Sequence, residues 1–389
     1  MNPRRPEVAD VLRTFAVAYR EAYPCSPEQE RVLRQLPLCR TASLGGHKLR
    51  CDSCGHEEIS YNSCRDRHCP KCRAAARAEW LAARERELLD VPYFHVVFTL
   101  PEELAAIALQ NRRLCYGLLF HAASQTLLTI AADPKHLGAD IGFLAVLHTW
   151  SQTLLHHPHV HCVVPGGGIC GDRQRWIACR GDFFLPVRVL SRLFRRLYLQ
   201  GLEAAFGRGD VELHGQLEGL RDPATWSRAI SDLRRKEWVV YAKPPFGGPT
   251  QVLKYLARYT HRVAISNQRI VSIDDQHVEF RWNDRSTQQE RTMTISGVEF
   301  VRRFLLHVLP RGFVRIRHYG FLANRVRDER IELARRLLHQ EHQLRDASSA
   351  HSGPSPSPTP FDRCPSCGTG SLVVVGDLPP THPFPIDSS

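Results

Sequence analysis

Two Cys-x-x-Cys turns, Cys51–Cys54 and Cys69–Cys72, stand fourteen residues apart. A turn of this kind aims two thiolates at one point, and tetrahedral zinc closes on four. The spacing therefore predicts a cage built from Cys51, Cys54, Cys69 and Cys72, inside a small module over residues 37–75 that is dense in Cys, His and Gly. Cys39, His47, Cys64 and His68 lie in the same stretch. They form either a second zinc site of two sulfurs and two nitrogens or a packed support for the first. A closed cage leaves no open coordination position, so it stabilises a fold or grips a partner rather than doing chemistry. A further knuckle, Cys364-Pro365-Ser366-Cys367, has no second one beside it. It is half of a site completed elsewhere or a surface pair.

The chain has 389 residues and a net charge of +12. That is long enough for more than one domain, and the charge points to a polyanionic partner. Only six of the 52 cationic residues are lysine. Arginine suits forked contacts to phosphate and guanine. No secretory leader and no run of eighteen apolar residues is evident, which predicts no membrane partner. The thirteen cysteines then fit metal binding in a reducing compartment.

Helical periodicity covers residues 1–36, and residues 76–90 read as a connecting helix. Apolar strands are expected at Tyr93–Leu100, Ile141–Trp150, Val160–Val164 and Trp238–Ala242, with a Pro/Gly turn over Lys243–Pro249 and helices over 102–132 and 185–237. A hairpin is expected around Asp274-Asp275, with helices over 298–309 and 325–340. Residues 346–363, rich in Ser and Pro, read as a flexible linker before a tail at 364–389. Few strands and uneven connections predict an α+β domain over 91–345 with an antiparallel sheet rather than a doubly wound parallel one.

Inside that domain, His159-Val160-His161 puts two imidazoles on one face of a strand, because strand side chains alternate. Two imidazoles on one face can hold a metal ion. His148, Gln152 and His157 are candidates for a third ligand. About ninety residues later a helix capped by Thr250 carries Tyr255 and Tyr259, four apart and so on one face. On a helical wheel Val252, Leu253, Leu256, Ala257 and Val263 lie on one side, and Lys254, Arg258 and Arg262 on the other. The tyrosines stand at the boundary. The cationic stripe suits a DNA backbone and would lower the phenol pKa. A metal beside paired phenols is what cutting a DNA strand and keeping its end attached requires.

These segments together, CDSCG…SCRDRHCPKC, FHVVFTLP, HPHVHCVVPGG, KYLARYTHRVAIS and RIRHYGFLA, resemble the His-hydrophobic-His single-strand endonuclease superfamily. Within it, they resemble the two-tyrosine rolling-circle transposases of the insertion-sequence-ninety-one family. The resemblance implies a ferredoxin-like antiparallel sheet with packed helices, preceded by a small zinc-binding domain. It implies His159 and His161 as ligands of magnesium or manganese, and Tyr255 and Tyr259 as nucleophiles. The implied substrates are single-stranded DNA at mobile-element ends and target DNA. No Gly-x-x-x-x-Gly-Lys-Ser/Thr phosphate loop is present, so strand opening would fall to a host helicase or replication proteins. A replication initiator or relaxase with the same chemistry, and a non-catalytic zinc-containing DNA-binding regulator, are the competing readings.

Overall fold

A computed structural model describes residues 5–72, 80–181, 184–246, 252, 263–284, 287–345 and 363–381. Among them the chain forms, in order, α1 (Val8–Ala22), α2 (Pro27–Gln35), β1 (Gly46–Cys51), β2 (Glu57–Tyr61), β3 (Tyr93–Thr99), α3 (Ala105–Gln110), α4 (Arg112–Ala132), β4 (Gly142–Trp150), β5 (His156–Pro165), β6 (Gly167–Ile169) and β7 (Trp176–Ala178). There follow α5 (Val187–Gly207), α6 (Pro223–Arg235), β8 (Val240–Phe246), β9 (Ile270–Ile273), β10 (His277–Asp284), β11 (Gln289–Ser296), α7 (Gly297–Leu305), β12 (Ile316–Gly320), α8 (Arg327–Arg345) and β13 (Leu372–Leu378). Two compact units divide them. One takes residues 1–76, 263–308 and 348–389, the other 77–262 and 309–347.

The second unit is built on a five-stranded antiparallel sheet in the order β12-β4-β5-β3-β8. One face carries Phe94, Val96, Phe98, Phe143, Ala145, Leu147, Val160, Cys162 and Val164 into the main core, where α4 and α5 cover it. At about 25 cal/mol per Å² such burial dominates the stability of the unit. Helix α4 has the length and apolarity of a membrane span, yet most of its apolar stretch is buried inside the unit. A helix apolar on all sides is what a core helix between two layers needs.

Sequence periodicity located β3, β4, β5 and β8 to within a few residues, with two differences, and did not mark β12. β8 continues to Phe246, through residues that read as a Pro/Gly turn. It lies at the sheet edge, where a missing proline N–H breaks no ladder on the open side. β5 begins at His156 rather than Val160. His157 and Pro158 together oppose Thr149, so the strand bulges there and Pro158 is accommodated.

Gly320 pins β12 to β4. It has φ +60°, and a Cβ there would sit 1.7 Å from the Ile141 carbonyl oxygen. Gly320→Ala is therefore expected to cost about 3 kcal/mol. Thermal unfolding should show a Tm lower by about 10 °C; an unchanged Tm would contradict this packing.

In the first unit α1 packs on α7, with Phe15 against Gly297. Phe280 of the β11-β10-β9 sheet meets Phe300. The expected hairpin at Asp274-Asp275 joins β9 to β10, with Asp274 accepting from the Gln276 and His277 amides. A second sheet has the order β13-β1-β2. Its outer strand comes from the tail, with Cys51 opposite Leu372.

Candidate active site and cysteine centres

The other face of the five-stranded sheet carries the histidines. His159 and His161 stand on β5, and β4 places His148 directly opposite His159. The ligand-capable atoms of these three residues lie within 4.8 Å of one another. All three side chains are buried, at 2%, 8% and 6% exposure for His148, His159 and His161. Sequence spacing could not choose His148, because the choice depends on the β4–β5 register. His157 lies outside the cluster. The bulge takes it out of the alternation, and it is exposed. Gln152 lies in the 151–155 connection between β4 and β5.

Hydrogen bonds orient the imidazoles. His159 Nδ1 donates to the His157 carbonyl at 2.6 Å, which leaves Nε2 as its ligand atom. His161 Nδ1 lies 2.8 Å from Nε2 of His95, and the two rings stack 5.0 Å apart. Burial, then Lys243 and His159, push the His95 pKa down to about 3. A neutral His95 can accept from His161 Nδ1–H, and that tautomer frees His161 Nε2 for a metal. Sequence reading missed His95. Its signal was position: it stands on the strand beside β5, two residues from Val97, which pairs with His161. Neighbouring His156 has a different use. It bonds to Tyr116 Oη at 2.8 Å and to the Ala105 carbonyl, and burial pushes its pKa down to about 4.

Farther along the same face, Tyr93, Leu144, Val146 and Val163 form an apolar patch. Val252 is fully buried in it, with Trp80, Leu81 and Leu88 packed alongside. Val252 belongs to the apolar stripe expected for the tyrosine helix. Tyr255, Tyr259, Lys254, Arg258 and Arg262 lie outside the described residues.

In the first unit the cysteines group differently from the expectation. Cys69 and Cys72 gather with Cys39 and Cys64, not with Cys51 and Cys54. Cys51 and Cys54 gather with Cys364 and Cys367. The β1–β2 hairpin explains the change. Cys51 and Cys54 sit at its turn, while Cys39 and Cys64 flank its open end. The six residues of β1 separate those ends by roughly 17 Å. One zinc, with bonds near 2.3 Å, cannot bridge that distance.

Nor do His47 and His68 join either group. His47 Nδ1 pairs with Asp377 at 2.8 Å across β1 and β13. His68 Nδ1 bonds to the buried Asp66 at 2.9 Å, and Arg31 lies 3.4 Å from the other oxygen. Burial pushes the Asp66 pKa up, but the His68 hydrogen bonds and the charges of His68 and Arg31 outweigh it and hold it below the usual range. In the Cys39 group, Sγ–Sγ separations of 3.4 Å (Cys39–Cys72) and 3.5 Å (Cys64–Cys72) are too long for disulfides and close to the edge of a zinc tetrahedron.

Comparison with known proteins identifies relatives over most of the chain. A family model described as "Transposase zinc-binding domain", of the IS91 type, matches residues 11–100, and one described as "Putative transposase" matches 142–330. The chain is 55% identical over 382 residues to a "Putative transposase y4qJ" of Sinorhizobium fredii, covering 95% of each. It is 29% identical over 315 residues to the transposase for insertion sequence element IS801 of Pseudomonas savastanoi, covering 77% of this chain and 71% of that one. No solved structure matches.

Proposed function

The chain belongs to the transposases of the insertion-sequence-91 family, and on that footing we propose that it nicks and rejoins single-stranded DNA at the ends of a mobile element through a phosphotyrosine intermediate. The observation that carries this reading is the histidine face. Three buried imidazoles converge on one side of the sheet, and on that same side Val252, from the segment that carries Tyr255 and Tyr259, is buried.

In the proposed reaction the phenol oxygen of Tyr255 or Tyr259 attacks the scissile phosphorus. A bond forms from that oxygen to phosphorus, and the phosphorus bond to the 3′ oxygen of the preceding nucleotide breaks. The phenol proton is lost, and a proton is taken up by the released 3′ oxygen, leaving a 3′ hydroxyl. The new phosphodiester keeps the energy needed for rejoining. With two tyrosines, one can hold the donor 5′ end while the other attacks the next strand. His148, His159 and His161 are the residues that would hold a divalent metal, which would polarise the phosphate as a Lewis acid. Three nitrogens suit manganese better than magnesium. Lys254, Arg258 and Arg262 are assigned to the DNA backbone, and Cys39, Cys64, Cys69 and Cys72 to structural zinc.

The test uses a labelled single-stranded oligonucleotide carrying an element end, incubated with the protein and manganese and resolved on a denaturing gel. A slower protein–DNA band is the expected result. Its absence with every end sequence of the element would sink the reading.

A base platform is proposed beside the histidines. Tyr241 is half-exposed on the edge strand β8, with the Lys243 ammonium 5.9 Å from its ring centroid. It pairs with Val97, itself opposite His161. Two strand spacings put it about 10 Å from the His161 position, on the same face. Stacking on an exposed ring contributes about 1–3 kcal/mol per base. Tyr241→Ala should therefore weaken binding of an unstructured oligonucleotide about tenfold in fluorescence anisotropy. Unchanged affinity would remove the platform.

A further inference from the structure

We propose that Cys51, Cys54, Cys364 and Cys367 form a second structural zinc centre, assembled from two knuckles more than three hundred residues apart, which fastens the tail into the N-terminal unit. The matched zinc-binding family segment ends at residue 100, so half of these ligands lie outside it. The sulfurs are at zinc-cage spacing: Cys51–Cys367 is 3.8 Å and Cys54–Cys364 is 3.6 Å. Bonds near 2.3 Å to a tetrahedral ion put sulfurs about 3.8 Å apart.

The two knuckles repeat each other. Each reads Cys-x-x-Cys-Gly, with the glycine left-handed, at φ +73° for Gly55 and +69° for Gly368. In each, that glycine's amide bonds back to the first cysteine's carbonyl, at 3.1 Å and 2.9 Å. Each first sulfur accepts from an amide two residues on, Ser53 N to Cys51 Sγ and Ser366 N to Cys364 Sγ, both at 3.4 Å. Cys54 N also points at Cys51 Sγ, while Gly370 N and Thr369 Oγ1 donate to Cys367 Sγ. Donors aimed at sulfur stabilise the thiolate, the form that binds metal.

Packing between the knuckles is close. A Cβ on Gly370 would lie 2.4 Å from Cys51 Sγ. Asp52 and Ser371 exchange backbone and side-chain hydrogen bonds, at 3.1 Å and 2.9 Å. β2 and β13 contain no fully buried side chain, and Val373, Val374 and Val375 are exposed. A sheet without its own apolar core needs a staple, and metal binding supplies folding free energy directly.

The experiment measures zinc in the purified full-length protein. Two equivalents per chain are expected. The Cys364→Ser/Cys367→Ser protein should keep one, and the Cys64→Ser/Cys69→Ser protein should lose the other. Cobalt substitution gives a readout that survives a weakened fold. Cys367→His should still bind two equivalents, and one of them should shift from a four-sulfur to a three-sulfur, one-nitrogen absorption spectrum. Limited proteolysis should release the 363–389 tail from the double-serine variant and not from wild type. One equivalent in wild type, two in the tail variant, or an unshifted cobalt spectrum in Cys367→His would each overturn the proposal.

Discussion

Tyr255→Phe combined with Tyr259→Phe is expected to abolish the covalent protein–DNA band while leaving oligonucleotide affinity within about twofold of wild type. The substitution removes two oxygens and nothing else, so any loss traces to the nucleophile. Removing the group that makes the covalent bond costs the whole covalent route, at least ~10³-fold in rate. Binding should survive because the residues proposed for phosphate contact, Lys254, Arg258 and Arg262, and for base contact, Tyr241, are unchanged. The single variants separate the two roles. The tyrosine that starts the reaction is needed for the first nick; the other is needed only for transfer to a second strand. A chain in which either tyrosine alone supports full transfer would refute the division of labour. A double variant that still forms the adduct would move the nucleophile elsewhere. Wild type and double variant that bind the oligonucleotide alike and both form no adduct would favour the non-catalytic regulator.

How much of this was legible in the sequence depended on range. Alternation placed His159 and His161 on one face of a strand, and the strand is there. Helical periodicity found α1, α2 and the α5–α6 region, and Asp274 marked its turn. These are local rules, each needing only a few neighbouring residues. The misses at the site turn on pairing between distant segments. His148 became a partner of His159 through β4–β5 register. His95 reached His161 because β3 lies on the other side of β5. The cysteines were harder still. Four sulfurs within 22 residues look self-sufficient until the hairpin between them is seen to hold its ends apart, and the ligands that complete Cys51 and Cys54 come from the far end of the chain. Knuckle spacing counts ligands well; it does not say which knuckles meet.

His148→Ala carries the second large expectation. Losing one imidazole of three should weaken manganese binding at least ~100-fold, since removing even a residue that only supports a ligand typically costs 10–100-fold. Metal-dependent cleavage should fall with it. His95→Gln tests the supporting role: it keeps a polar group beside His161 and should lose about tenfold. Binding can be followed by the manganese spin-resonance signal, independently of cleavage. Zinc content is the control, because the cysteine groups belong to the other compact unit. A buried histidine can also matter through packing, so the thermal unfolding of each variant has to be compared. A drop of a few degrees with zinc retained leaves the metal assignment in force. Wild-type manganese affinity in His148→Ala would show that the three imidazoles do not act together. Loss of zinc in the same protein would show that the histidine face and the cysteine centres are not separate systems.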